Sequence, residues 1–369
     1  MALQCGIVGL PNVGKSTIFN ALTAAGAQMA NYPFCTIEPN VGVVTVADDR
    51  LGQLSAIAKP QKVLPTVMEF VDIAGLVSGA SKGEGLGNQF LGHIRQVDAV
   101  THVVRCFEDD DITHVEDRVD PVADILIIET ELMLADLASV QKRYDGVIKK
   151  ARTGDKEAKV LVEIYSRVVD GLNDGIPIRQ QGLSPEDLEG LRDLFLITAK
   201  PVLYICNVSE ADVSIAQKPG EHPMCDAVRE LAAKEGSEVV VICGAIESEI
   251  SELEAEEKAM FLDDLNLEEA GLDRLVNQAY RLLGLMTYFT VGPKEVRAWT
   301  VAVGATAPEA AGVIHTDFQK GFIRAEVISF ADFIACNGEQ GAKEKGKMRL
   351  EGKTYKLNDG DVMHFLFNV

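Results

Sequence analysis

The run Gly9-Leu10-Pro11-Asn12-Val13-Gly14-Lys15-Ser16 has the spacing G-x-x-x-x-G-K-S, set between an apolar stretch and a helix-forming one. Backbone N–H groups from Asn12, Val13, Gly14, Lys15, Ser16 and Thr17, at a helix N-terminus, suit phosphate oxygens, and the glycines let the chain approach them closely. Lys15 is then the side chain that reaches the terminal phosphates, which makes it a catalytic candidate, and the Ser16 hydroxyl is a ligand for Mg²⁺. Farther on, Asp72-Ile73-Ala74-Gly75 follows the strand-like residues 68–71. An acid at a strand end beside a phosphate loop can act on Mg²⁺ through the ion's water ligands, and the Gly75 N–H can donate to a γ-phosphate. Between the two motifs, "NYPFCTIEPN" carries Thr36 where such enzymes supply a hydroxyl to the same ion. Gly75, Gly79, Gly83, Gly85 and Gly87 make a loop expected to order only around nucleotide.

Elements must hold these groups together. Apolar, strand-like runs fall at 3–8, 41–46, 66–71, 99–106, 202–206 and 239–243, with helical stretches between most of them, beginning with 16–25. Such alternation predicts a mostly parallel α/β sheet covered on both faces. A long segment interrupts it. There Leu126, Met133, Leu137, Val140, Tyr144 and Val147 recur at heptad-like spacing, Thr153-Gly154-Asp155 makes a turn, and Leu161, Ile164, Val168 and Leu172 continue helically. We read an antiparallel helical hairpin inserted in the sheet domain. Its tip is basic, with Lys142, Arg143, Lys149, Lys150, Arg152, Lys156 and Lys159 against Asp145, Asp155 and Glu157. That patch is a candidate contact for a phosphate backbone. Ser184-Pro185-Glu186-Asp187 reads as a helix start, and the acidic stretch 247–269 as helical.

From about Tyr288 the pattern turns to strands, at 297–303, 323–328, 353–357 and 362–367, with a short helix after Pro308. The expected domains are 1–120 with 200–284 around the phosphate loop, 121–199 for the hairpin, and 285–369 for a small α+β unit. The chain has 369 residues, 47% of them hydrophobic, and a net charge of −21 from 56 acidic and 35 basic side chains. That balance argues against nucleic-acid affinity over the whole surface while leaving room for a local basic patch. Apolar runs are far shorter than a membrane span, and the N-terminus lacks the basic start and apolar core of a signal peptide. A cytoplasmic protein with no membrane partner is expected. Seven scattered cysteines, several in apolar runs, read as reduced core thiols.

Together, the phosphate loop, Thr36, the D-x-x-G at Asp72 and a later Asn-x-x-acid slot resemble the translation-factor class of P-loop NTPases. "DIAGLVSGASKGEGLG" is similar to the Obg-related branch. "GLPNVGKST", "NYPFCTIEPN", "NVSE" and the ending "DGDVMHFLFNV", with the helical insertion, resemble the YchF or Obg-like ATPase family along essentially the whole chain. The resemblance implies a G domain, a coiled-coil insertion and a C-terminal TGS domain of the ubiquitin-like β-grasp type. It also implies ATP hydrolysis and association with the ribosome, chiefly the large subunit, with rRNA met through the hairpin tip and the TGS domain.

A guanine-specific slot carries N-K-x-D, whose Asp accepts from two guanine N–H groups while the Lys stem lies along the base. Here the sequence is Asn207-Val208-Ser209-Glu210, so Val replaces Lys and a longer Glu replaces Asp. Losing such a designed pairing can change discrimination by roughly 10⁴. Weakened GTP preference follows, and the resemblance turns it into preference for ATP. Asn207 and the Val208 backbone are expected to read or pack the base, with Gly244, Ala245 and Ile246 as the opposite wall. The residue after D-x-x-G is Leu76, which cannot orient water as a Gln does. His114 is the catalytic group that the family pattern suggests in its place. Asn12 offers a second route, because related NTPases with Asn there hold K⁺ against the phosphates. Two other readings stay open: a GTPase of the same fold, and a ribosome- or RNA-binding adaptor whose nucleotide site is structural.

Overall fold

Short runs rich in Val and Ile become strands, and the strands converge on the phosphate loop. The computed structural model describes residues 3–27, 40–73, 86–109, 111–113 and 118–368. In chain order the first strands are β1 (Gln4–Val8), β2 (Val41–Thr45), β3 (Lys62–Leu64), β4 (Val67–Asp72), β5 (Ala99–Arg105), β6 (Val202–Asn207) and β7 (Glu238–Ile242). Then come β8 (Leu285–Val291), β9 (Glu295–Ala302), β10 (Phe322–Ile328), β11 (Arg349–Glu351) and β12 (Val362–Phe367). The first five helices are α1 (Lys15–Ala27), α2 (Asp49–Ala58), α3 (Leu86–Gln96), α4 (Pro121–Arg152) and α5 (Lys156–Asn173).

One sheet runs β2-β4-β1-β5-β6-β7, with β1 parallel to β4 and β5, and β6 parallel to β5 and β7. Every residue of β5 and β6 is buried, as expected of central parallel strands covered on both faces. The ends of β1, β4 and β6 deliver the phosphate loop, Asp72 and Asn207 to one edge of this sheet, the usual place for a ligand in such folds.

The inserted hairpin is α4 and α5. Asp120 caps α4 through the Ala123 N–H at 3.0 Å, and Pro121 occupies the first helical turn. Gly154 at φ 97° makes the turn, and Asp155 caps α5 through the N–H groups of Glu157 and Ala158. Met133, Val140, Ile164, Tyr165, Val168 and Leu172 form its core, with Leu137, Tyr144 and Val147 packed against it. Leu126 departs from the expected seam, at 50% exposure. At that end α4 buries Ile125, Ile128 and Leu132, a helical stripe that turns Leu126 toward solvent.

Asp136 of α4 fastens the hairpin to the segment leading into β6, accepting from the N–H groups of Ile197 (3.0 Å) and Thr198 (2.7 Å) and from the Thr198 hydroxyl (2.8 Å). Asp136→Ala strands these buried donors and is expected to lower the unfolding free energy by about 3 kcal/mol in urea titrations. Burial holds this carboxyl above the usual range although its donors oppose the shift. A raised folded-state pKa contributes stability that is fullest below the unfolded value and declines as pH rises through the folded one. The deficit of the variant therefore shrinks as pH rises through that window.

A second compact unit is built from Thr45–Met68 together with Tyr280–Val369. Its sheet runs β11-β10-β12-β8-β9-β3, with β12 parallel to β8, β9 antiparallel to β8, and β10 antiparallel to both β11 and β12, a β-grasp arrangement. The expected boundaries placed 45–68 with the phosphate loop. Instead β3 pairs in parallel with β9, and Leu51 and Leu54 of α2 join a core of Phe289, Val296, Phe333 and Val362. The strand expected at 353–357 is also absent. Tyr355 N–H turns back to the Gly352 carbonyl, a lone bridge links Lys356 to Thr306, and the strand lies earlier as β11. In the first unit the acidic stretch forms two helices, Gly244–Ile250 and Ala255–Asp264, rather than one. Among the described residues no helix is long and apolar enough to cross a membrane.

Candidate functional site

Backbone conformation shapes the phosphate loop. Asn12 and Gly14 both have positive φ, at 62° and 89°. A Cβ on Gly14 would sit 2.1 Å from Asn207 Nδ2, and one on Gly9 2.7 Å from the Val103 carbonyl oxygen, so neither position admits a side chain. The chain then enters α1, with Ile18 N–H on the Gly14 carbonyl at 3.0 Å. The loop borders a cavity of about 1110 Å³, whose lining includes Asn12, Gly14, Lys15, Ser16, Thr17 and Asp72 on the phosphate side. The Lys15 ammonium pairs with the Asp72 carboxylate. Ser16 and Thr17 are exposed at the start of α1. A hydroxyl and a carboxylate facing one cavity form an oxygen-only donor set of the kind that Mg²⁺ takes, so the residues present fit that ion.

The other half of the cavity is lined by Asn207, Val208, Ser209, Glu210, Ala211, Cys243, Gly244 and Ala245. Asn207 is a brace. Its Nδ2 donates to the Val13 carbonyl at 2.9 Å and its Oδ1 accepts from the Gly244 N–H at 3.0 Å, tying the phosphate loop to the far wall. One N–H and one lone pair of that amide are engaged with backbone, which fixes the geometry of its neighbours and leaves a second N–H for a ligand. Val208 is 2% exposed, and its N–H is held by the Ile242 carbonyl at 2.9 Å. Ser209 donates to Asp212 at 2.7 Å, closing the turn that presents Glu210 at the surface. Gly244 and Ala245 line the cavity. Ile246 does not line the cavity; it is buried beneath them in the first turn of a helix whose inward face it occupies. Val13 is likewise buried and contributes its carbonyl to Asn207.

Arg105, which sequence reasoning passed over, organises the remaining wall. It ends β5 almost wholly buried and donates to the carbonyls of Phe107 (3.1 Å), Asp109 (3.2 Å) and Ile112 (2.9 Å). Its guanidinium also lies 4.7 Å from the Phe107 ring centroid. Phe107, Glu108, Asp109 and Ile112 thereby line the cavity, and Asn12 Nδ2 donates to the Thr113 carbonyl at 3.1 Å. The available signal was an Arg closing a run of apolar strand residues, which seldom happens without partners. Thr36, Gly75 and His114 lie outside the described residues.

Comparison with known proteins adds relatives to this geometry. A family model described as "50S ribosome-binding GTPase" matches residues 4–135, and one described as "Protein of unknown function (DUF933)" matches 285–368. The ribosome-binding ATPase YchF of Haemophilus influenzae is 60% identical over 369 residues, covering 100% of both chains. Its namesake from Bacillus subtilis is 56% identical over the same span and coverage. The solved structure of the Schizosaccharomyces pombe YchF GTPase matches with a TM-score of 0.88 at 38% identity, over 99% of this chain and 97% of that one.

Proposed function

Because this chain belongs to the YchF family of ribosome-binding ATPases, we propose that it hydrolyses ATP in the cavity between the phosphate loop and the Asn207–Gly244 wall. It is a nucleotide-dependent ATPase that associates with the ribosome. The observation that carries the choice of base is Val208 and Glu210 facing the same cavity as Lys15. The names of the relatives differ between ATPase and GTPase, so the slot itself has to supply the argument. Among the described residues Val208 and Glu210 stand where a guanine slot has its Lys and Asp, an exchange that lowers the affinity for GTP without cost to adenine. ATP and GTP affinities and turnover of the purified chain, with and without ribosomes, test this. A clear preference for GTP overturns it.

In the working site Lys15 meets the β- and γ-phosphates, and the backbone N–H groups from Asn12 to Thr17 hold the remaining oxygens. With phosphate bound, Lys15 would pair with its oxygens and Asp72 would be free to help hold Mg²⁺. Ser16 and Thr36 would hold Mg²⁺ directly, and Gly75 would donate its N–H to the γ-phosphate. When bound, Mg²⁺ supplies charge neutralisation between the phosphates. Asn207 keeps both walls of the base slot in register.

With Leu76 after D-x-x-G, water has to be oriented elsewhere, and His114 and a K⁺ ion held at Asn12 are the two routes. A single turnover assay separates them. His114→Ala is expected to slow hydrolysis by about 10²-fold, and exchange of K⁺ for Na⁺ to slow it if Asn12 holds the ion. Equal rates in either comparison remove that route.

Contact with the large subunit and its rRNA belongs to the hairpin and the β-grasp unit. Lys142, Arg143 and Lys150 line a second cavity of about 1230 Å³, together with Arg95 and Lys200. Asp98, Asp155, Glu157 and Asp193 line it as well, so the cationic excess of the hairpin rests on Lys142, Arg143, Lys149, Lys150, Arg152, Lys156 and Lys159 taken together. Replacing Lys142, Arg143, Lys149 and Lys150 by Gln is expected to weaken ribosome binding and to flatten its dependence on salt. Unchanged binding moves the contact elsewhere. Work on the ribosome is consistent with a place in the cytoplasm.

A further inference from the structure

Three thiols meet where no nucleotide chemistry uses them. Cys106 directly follows β5, Cys206 lies in β6, and Cys225 is in the first turn of the helix Pro223–Glu235. In the β5–β6 register Val104 stands opposite Cys206, and Cys106, two residues on, returns to the same face of the sheet. The helix brings Cys225 onto that face, its N–H accepted by His222 Nδ1 at 3.3 Å. All three sulfur atoms lie within 4.8 Å of one another, and all three residues are 0% exposed.

We propose that Cys106, Cys206 and Cys225 form a three-coordinate thiolate site for one soft d¹⁰ cation, Cu(I) being the ion that the donor set fits. Metal–sulfur bonds of about 2.3 Å place the corners of a trigonal site about 4 Å apart, a small contraction from the spacing here. Structural Zn²⁺ takes four ligands. Among the described residues the ligand cluster consists of these three sulfurs, and the nearby His222 Nδ1 is engaged by the Cys225 N–H. Thiolate sulfur in a three-fold set selects Cu(I) from the first-row metals. Three S–H bonds break and three Cu–S bonds form; the protons leave to solvent, and copper stays Cu(I). The product carries a net charge of −2. The N-terminus of the Cys225 helix partly offsets that charge.

The site would report directly to the base slot. Asn207 follows Cys206 in the chain, and the Cys106 N–H donates to the Asn207 carbonyl at 2.8 Å. A cation joining the thiols would therefore stiffen the strand end from which Val208 and Glu210 project.

Anaerobic titration with Cu(I) against a chromophoric Cu(I) chelator tests the assignment on the full chain. One equivalent is expected to be retained by the wild-type chain and by Cys35→Ser and Cys336→Ser. Cys206→Ala and Cys225→Ser are each expected to lose more than about 100-fold in affinity while circular dichroism stays unchanged. No retained copper, or retention by the Cys206→Ala/Cys225→Ser chain, overturns the proposal. X-ray absorption at the copper edge of the loaded wild-type chain decides independently of whether the variants fold: three sulfurs at about 2.3 Å support it, and a two-sulfur or nitrogen-containing shell overturns it.

Discussion

Lys15→Ala is expected to lower ATP turnover by about 10²–10³-fold and to weaken nucleotide binding with it. The size follows from position. Lys15 is the first residue of α1, its side chain is 10% exposed, and its ammonium faces the one carboxylate, Asp72, that ends β4 at the same cavity. A cation fixed at that point stabilises charge that develops on phosphate oxygens more than one free in water does. Lys15→Arg is not expected to restore the rate, because a planar fork cannot place a point charge where the ammonium stood. Turnover, nucleotide affinity and ribosome association have to be measured on the same preparation. Loss of all three supports a switch, and loss of the first two with ribosome association intact favours the adaptor reading. Wild-type turnover would show that hydrolysis does not use this lysine.

The double substitution Val208→Lys with Glu210→Asp is expected to move base preference from ATP toward GTP by as much as about 10⁴-fold in the ratio of affinities. Restoring the Asp supplies an acceptor at the distance that guanine's paired N–H groups need. Restoring the Lys supplies the stem along the base. The turn is already built for this, since Ser209 and Asp212 close it and Asn207 braces it without involving either changed side chain. Val208 is the harder position because it is buried, and its replacement has to thread a long chain toward the cavity. Glu210→Asp alone, at an exposed site, is expected to give part of the shift at little cost in stability. If competition binding shows the double variant still favouring ATP, the base is read by another part of the slot, and the Phe107–Ile112 wall is where to look.

What the sequence made legible was local. The phosphate loop, the acid at the end of β4, the turn at Thr153–Asp155 and the cap at Ser184 are each spelled within a few residues, and each lies where its spelling implies. Side-chain direction was less legible. Leu126 fits a heptad on paper, yet α4 meets different neighbours at its two ends, and the stripe that matters shifts with them. Arg105 works through backbone carbonyls, which every residue has, so its partners left no mark in the sequence. Cys225 lies in a polar helical stretch, and only the fold sets it against two strand thiols. Residues 45–68 are the extreme case. Their partners are some 230 to 310 positions away, as in the Thr66–Thr300 contact and the Arg50–Asp359 pair at 2.6 Å, and no window along the chain spans such distances.

That last arrangement sets a rule for taking the protein apart. Between the phosphate loop and Asp72 the chain leaves its own unit, contributes α2 and β3 to the other, and returns. The C-terminal 90 residues were therefore not added to the rest like a carriage to a train. A chain stopped at residue 284 keeps β3 as a lone strand without β9, and leaves Leu51 and Leu54 without their core, on the very stretch that leads into β4 and its metal-site aspartate. Deletion of the tail damages the catalytic half at a point remote from the cut, so lost activity in a truncated protein says nothing about what the tail itself binds.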